Sequence, residues 1–349
     1  MKLEKVIDDA LENKIATGIA VSIVDRKNRI FEITKGHTEE EGEDITKATL
    51  FDLASLTKVV FTTPYILKLV EDGLLSINDP VSLYVNGFPE NITLKNLLTH
   101  TGGLKPWLPL FSDDLNIDNS KPYEVKQITK EEAIDKIIKF GIDASPNVKV
   151  EYSDLGFILL GFIIETITKK DLKECAREFF DEISMFSTTF GPVQGDVAST
   201  EIVQGKHLKG IVHDENARAL GGISGHAGLF SNLNDLERYA LFILNSGSID
   251  EKRILTEDSI VLMKETATTD LKPERTIGFI KGKYLSTAPD FASVESIGHT
   301  GFTGTSIYFD FKRSIAIIIL TNRVYYGREN NKHMHLRRII GNLIYKEIL

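Results

Sequence analysis

The sequence has little of several things, and each shortage excludes something. There is one cysteine, Cys175, so no intramolecular disulfide can form. It lies in DLKECAREFF, a helical pattern in which a small buried thiol is expected. No block of Lys and Arg is present and the formal net charge is −9, which argues against nucleic acid and anionic membrane as partners. No apolar run approaches the length that spans a bilayer. The opening MKLEKVIDDALENKIATG alternates charged and apolar residues and lacks the unbroken apolar stretch of a signal peptide. A cytoplasmic protein is expected, with no membrane partner. Internal repeats, low-complexity tracts and a sustained heptad seam are also missing, and the oligomeric state is left open.

Two catalytic architectures are disfavoured in the same way. GISGH around Ser224 is not G-x-S-x-G, and the parallel strand–helix alternation of an α/β-hydrolase is absent. His213, Asp214, Glu215 and His226 fit no standard metal-ligand spacing, and there is no H-E-x-x-H. VHDENA is expected to be a loop edging a cleft, with His213 near substrate. His333 and His335 stand two apart in a C-terminal helix and do not share a face, so both are expected on the surface.

What is present is an ordinary globular composition over 349 residues, 42% hydrophobic and 26% charged, long for one compact core. A short amphipathic helix opens the chain. Ile19 to Val24 and Arg29 to Lys35 follow as strands around a turn at 25–28. A helix is expected from about Ser55 to Asp72, with a kink or irregular turn at Pro64. Helical patterns dominate the middle, with a long polar surface loop from Pro109 to Tyr123. Strands return in TIGFIKG, SIGHTG, TSIYFDFK and SIAIIILTNR, and an amphipathic helix closes the chain. The expected fold is α+β: one antiparallel sheet built from both chain ends, flanked by the terminal helices, with an inserted, mostly helical domain. The expected division is 1–80 plus 265–349 for the sheet domain and 81–264 for the helical one, with the active site between them.

Within FDLASLTK, Ser55 and Lys58 are three residues apart and meet on one helix face. A serine hydroxyl becomes a nucleophile when a base takes its proton, and a lysine serves when burial or a nearby cation lowers its pKa. The plain alternative is a serine N-cap with a surface lysine. Against that stand the apolar flanks and the fact that this is the only S-x-x-K in the chain. Tyr152 in VKVEYSDLGFILLG marks a loop-to-helix start. GHTGFTGTS, residues 298–306, is a Gly-rich turn before a strong strand. Trp107 follows HTGGL and is expected either to line a pocket or to pack at its rim.

S-x-x-K, then Y-x-D, then H-T-G, in this order, resembles the class C β-lactamase and penicillin-binding-protein superfamily of serine hydrolases. LVEDGLLSINDPVSLYV, LKNLLTHTGGL, YSDLGFILLG, GHAGLFSNLNDLERYA and GHTGFTGTSIYFD are similar to that family's stretches over nearly the whole chain. The resemblance implies Ser55 as the acylated nucleophile, with Lys58 and Tyr152 as the acid–base pair. It implies an oxyanion hole from the N–H groups of Ser55 and Phe302, and substrate contacts at His299, Thr300, Gly301 and Asp154. No metal or organic cofactor is implied. The expected substrate is a small molecule or short peptide: an ester, a D-amino-acid peptide, a muropeptide fragment or a β-lactam. The alternative is a binding or sensor module that acylates and barely turns over.

Two positions depart from the family pattern. Asp154 stands where asparagine is usual, and an ionised aspartate cannot donate to an acylamido carbonyl. His299 stands where the lactamases have lysine, which removes a permanent charge that attracts carboxylates. H-T-G is similar to the esterase and D-aminopeptidase branches. Asn322 and Arg323, after the last strand, are the expected substitutes for the lost cation, or else a strand-end turn with a solvated arginine.

Overall fold

Alternation in the first long strand decides the layering. β1 (Gly18–Asp25) is buried on both sides, and successive side chains point to opposite faces. Ile19, Val21 and Ile23 join one apolar cluster, and Ala20 and Val24 join another. A slip of one residue would exchange the two sets, so burial pins the register. β1 pairs with β2 (Arg29–Gly36) on one side, through a turn in which Asp25 Oδ1 accepts the N–H groups of Lys27 and Asn28. On its other side it pairs with the last strand of the sheet, Val21 lying opposite Ile319.

The computed structural model describes residues 1–118 and 120–349. The remaining strands of this sheet are β3 (Ile280–Lys281), β4 (Ile297–Thr300), β5 (Ser306–Asp310) and β6 (Ile315–Thr321). The order is β3-β4-β5-β6-β1-β2, antiparallel throughout, so both ends of the chain build one sheet as the sequence patterns suggest. On one face lie helices α1 (Lys2–Glu12) and α6 (Lys332–Glu347). Leu3, Ile7 and Ala10 of α1 and Leu336, Ile340 and Ile344 of α6 recur at helical spacing and meet Val21, Ile317 and Ile319. Each such burial contributes roughly 1.5–3 kcal/mol.

The opposite face is covered by α5 (Leu233–Leu244), whose Tyr239 and Phe242 share a core with Ile318, Leu320 and Phe309. That core continues into α2 (Thr63–Glu71), α3 (Asp154–Thr168) and α4 (Leu172–Glu182). Every residue of α3 from Leu155 to Ile164 is buried, as expected of a helix that is apolar all round. Cys175, on α4, is buried as its apolar pattern implies.

The helix expected from Ser55 to Asp72 is three pieces. Residues Ala54–Leu56 form a 3₁₀ turn, Lys58–Thr62 a π turn, and only Thr63–Glu71 is α-helical. Pro64 enters at the start of α2, lacking an N–H and crowding the carbonyl four residues earlier. The wider π turn just before it absorbs that conflict, so the irregularity precedes the proline. The surface loop expected over 109–123 includes Asn119, which lies outside the described residues. Elsewhere in it no helix or strand forms, and Asp113, Asp114, Asn116 and Lys121 are exposed. Among the described residues no helix is long and apolar enough to cross a membrane.

Candidate active site

The irregular start of the Ser55 segment is held from several sides. Ala54 sits at φ +46°, a left-handed conformation that costs a non-glycine residue about 1–3 kcal/mol and persists only when its surroundings impose it. Here Asp52 Oδ1 accepts the Ala54 N–H at 2.8 Å, and Asp52 Oδ2 accepts the His213 N–H at 2.6 Å. Thr303 and Thr305, beyond β4, donate their hydroxyls to the carbonyls of Asp52 and Leu53. Gly301 is required by the same contact, because a Cβ there would lie 2.4 Å from the Leu53 carbonyl oxygen. The loop after β4 is thereby clamped against the residues preceding Ser55.

Lys58 is fully buried. Its ammonium donates to Ser55 Oγ at 2.9 Å and to the His226 carbonyl at 3.0 Å, and forms an ion pair with Asp154 Oδ1 at 2.7 Å. Burial pulls the Lys58 pKa down, but Asp154 and Tyr152 outweigh it and the net direction is up. The Lys58 ammonium lies over the Tyr152 ring, 5.1 Å from its centroid, while about a third of Tyr152 faces the open cleft. Burial raises the Tyr152 pKa, Lys58 opposes this, and Asp154 adds to it; the net direction is again up. The His226 carbonyl is aimed by its own ring, which bonds Ser224 Oγ at 2.8 Å and Asp214 Oδ1 at 2.8 Å.

Of these groups Ser55, Tyr152, Asp154 and Asp214 line a cleft of about 570 Å³. Trp107 lines it with Ser55, Tyr152 and Asp154. His299, Thr300, Gly301 and Phe302 line it too, with the His299 ring 5.9 Å from that of Tyr152. His299 is buried, its Nδ1 is 3.0 Å from the Thr300 carbonyl oxygen, and burial, then Arg275 and Lys58, hold its pKa well below the ordinary value. It is therefore neutral near pH 7. The Phe302 N–H meets no acceptor among the described residues, and its ring, 48% exposed, lies under the Arg323 guanidinium and stacks on His213. Arg275 lies over the Tyr152 ring at 5.7 Å, only 4% exposed, its Nε without a hydrogen-bond partner. Burial lowers its pKa to about 10, which leaves it charged at neutral pH.

The family model described as Beta-lactamase matches residues 3–341. The chain belongs to the beta-lactamase family. A relative from Bacillus subtilis strain 168, named N-acetylmuramyl-L-alanine amidase, is 30% identical over 366 residues, covering 92% of this chain and 81% of that protein. A provisionally named D-alanyl-D-alanine carboxypeptidase of Escherichia coli strain K12 is 29% identical, covering 81% of this chain and 71% of that one. Among solved structures, EstCE1, described as a hydrolase with promiscuous acyltransferase activity, superposes with a TM-score of 0.78 at 18% identity over 97% of both chains, which speaks for the fold alone. The relatives' names agree on hydrolysis, and this beta-lactamase-family chain is a hydrolase of that broad kind.

Several positions read from the sequence meet in the family's cleft and others do not. Ser55, Tyr152, Asp154, Trp107, His213 and the 299–302 segment line it, and Lys58 is buried against Ser55. Asn322 does not join them. It is buried, its Oδ1 accepts the N–H groups of Thr17 and Gly18, and its Nδ2 donates to Thr17 Oγ1 and the Ser199 carbonyl. It ties the two chain ends together. Arg323 lines the cleft but is neither solvated nor free for an anion: its Nε donates to the Phe302 carbonyl and its Nη1 to those of Arg328 and Asn330. His333 is a correction. It is buried at the cleft wall, with Nδ1 3.0 Å from the Asn330 carbonyl oxygen, whereas His335 is exposed as expected. The reason is the helix face: His333 shares the buried stripe of Leu336, Arg337 and Ile340.

Sequence reasoning missed Arg275, Arg337 and the structural use of His226. Arg337 donates Nη2 to the carbonyls of Gly301 and Thr305, pinning the loop after β4. Its position inside the apolar stripe of α6 was a usable signal. Arg275 had none, since it follows a polar loop and falls in no periodic pattern.

Proposed function

We propose that this beta-lactamase-family protein hydrolyses an amide or ester bond through an acyl intermediate on Ser55. The observation that carries it is the fully buried Lys58 Nζ, 2.9 Å from the Oγ of Ser55, which lines the cleft with Tyr152. In the proposed reaction Ser55 Oγ attacks the carbonyl carbon as its proton passes to the Lys58–Tyr152 pair. The oxyanion is received by the N–H groups of Ser55 and Phe302. The acid–base pair returns the proton to the leaving nitrogen or oxygen, and water then cleaves the acyl ester.

The proposed substrate carries a free carboxylate. His299 cannot supply a positive charge, and Arg275 can: a buried guanidinium without a carboxylate partner among the described residues requires an anion to offset its desolvation. The amide bonds named in the B. subtilis and E. coli relatives both belong to peptidoglycan chemistry, so muropeptide fragments and D-Ala–D-Ala peptides head the substrate panel. A fluorophosphonate probe should add to Ser55 by intact-mass and peptide analysis, and Ser55→Ala should abolish both labelling and turnover. Turnover at the wild-type rate in that variant would refute the assignment. A stoichiometric burst with no steady rate would replace the hydrolase by a binding module.

A further inference from the structure

Arg337 on α6 is 3% exposed and lines the cleft. Its Nη2 donates to the carbonyls of Gly301 and Thr305, at 3.0 and 2.6 Å. Its Nε is buried without a hydrogen-bond partner, and its Nη1 meets no acceptor among the described residues. Only one nitrogen of the guanidinium is therefore satisfied by the protein. Among the described residues no carboxylate pairs with it. The one ionisable group that favours its charge is the Tyr308 phenol, which burial pushes up and keeps neutral at pH 7. Burial lowers the Arg337 pKa to about 10, and the side chain stays charged.

The surroundings add positive charge instead of removing it. Arg323 lines the same cleft and is buried with its guanidinium over the Phe302 ring at 4.4 Å. Burial and then Arg337 lower its pKa to about 10. Glu201, which opposes this, is itself bonded by His213 and Arg328. His333 stands four residues before Arg337 on the same buried face of α6. Burial, then Arg337 and Arg323, hold it down at about 3, so it is neutral. Arg275 belongs to a different group of cations. The charges that act on His299 are those of Arg275 and Lys58, whereas Arg337 and Arg323 act on His333. The cleft thus holds unmatched guanidiniums at two places, one over Tyr152 and one behind the Gly301–Thr305 loop.

Resting on the reading that Arg275 takes a substrate carboxylate, we propose that Arg337 marks a second anion subsite and that the substrate is a short peptide with two carboxylates, a terminal one for Arg275 and another for Arg337. A cation buried beside another cation is offset by an anion that arrives with the ligand. Arg323, whose Nε and Nη1 are held by backbone carbonyls, contributes charge to the subsite without having to turn toward the ligand. A cleft of about 570 Å³ has room for a peptide of this size. Selection then falls on acidic peptides over their amidated counterparts.

The test uses the full chain as Ser55→Ala, so that binding is read apart from turnover, and isothermal titration calorimetry. Each pair of acetylated peptides differs by one carboxylate against its carboxamide. Acetyl-D-Ala–D-Ala and its C-terminal amide report the Arg275 end. Acetyl-D-Glu–D-Ala–D-Ala against acetyl-D-Gln–D-Ala–D-Ala, and acetyl-D-Ala–D-Glu against acetyl-D-Ala–D-Gln, place the second carboxylate at either end of the peptide. One of these latter pairs should favour the acid by about tenfold or more. Arg337→Gln should reduce that preference to less than about threefold and leave the preference of the first pair in place, and Arg275→Gln should do the reverse. Because Arg337 also holds the loop, a second variant keeps its bonds to Gly301 and Thr305. Met334→Glu, three residues earlier on α6 and exposed in the cleft, sets a protein carboxylate beside Arg337 and should abolish the same preference. Equal binding of acid and amide in both glutamate pairs overturns the proposal. So does an acid preference that survives Arg337→Gln. Fluorophosphonate labelling of Ser55 in the wild type is scored separately, and its failure would strike the acyl-serine function while the calorimetric ratios stand.

Discussion

Two buried cations lie over the Tyr152 ring in opposite circumstances. Lys58 has a carboxylate at 2.7 Å, a carbonyl at 3.0 Å and a hydroxyl at 2.9 Å. Arg275 has an aromatic face and an unpartnered Nε. Removing either from water has a cost, and the protein offsets that cost for one and leaves it standing for the other. In the proposed reaction the matched cation belongs to the machinery that is complete before substrate arrives, and the unmatched one is completed by what binds. A third cluster behind Phe302 is matched again: Glu201 bonds His213 Nε2 at 2.9 Å and Arg328 at 2.7 Å, and Arg328 reaches Glu215 at 2.7 Å.

This contrast is best broken at its strongest point. Lys58→Met removes the matched charge and strands Asp154. Loss of about 10³-fold or more in kcat/KM is expected, with the fold retained by circular dichroism. A loss below tenfold would show that the lysine is not part of the reaction.

The Glu201 cluster sharpens the contrast through stability. Burial pushes the Glu201 carboxyl up, and hydrogen bonds from His213 and Arg328 reverse this to about 2, from an ordinary 4.5. A folded-state pKa below the unfolded one stabilises above about pH 4.5, and that stability drains away as pH falls toward 2. About 3 kcal/mol is at stake by order of magnitude. Urea unfolding across this window should show the loss in the wild type and a flatter profile in Glu201→Gln. Parallel profiles would remove Glu201 from the account.

On the unmatched side, Arg275→Gln should lower kcat/KM about 10–100-fold for a peptide ending in a free carboxylate and leave its C-terminal amide nearly unchanged. Equal losses on both would assign Arg275 to structure. The smallest effect is expected at His299→Gln. Because His299 is already neutral at pH 7, the ratio between acid and amide substrates should change by less than about threefold. A larger change would mean that the imidazole carries charge when substrate is bound.

The same contrast explains how much was legible in the sequence. The sheet could be read because β6 carries an unbroken apolar run and β1 one interrupted only by Ser22, and burial on both faces leaves no other use for them. Ser55 and Lys58 could be read because each is a polar residue in apolar surroundings that must be satisfied, and Tyr152 because Y-x-D falls in the order the family resemblance implies. His299 marked the loss of a cation, and the sequence suggested Arg323 as its replacement because it closely follows the strand. The replacement proposed here is instead Arg275, which has no patterned neighbours, so only the folded chain brings it over Tyr152. The π turn at Lys58–Thr62 was legible only as a disturbance near Pro64, since propensity does not say on which side of a proline the backbone widens.

The sheet has a consequence for synthesis. β1 is made first and takes its inner neighbour from Ile315–Thr321, near the other end of the chain. A nascent chain leaving the ribosome therefore carries a hydrophobic hairpin with one bare edge, and closes it only once Ile315–Thr321 has emerged. Copies cut short before Ile315 keep that edge open to one another, so late truncation yields a sticky product before it yields a merely inactive one.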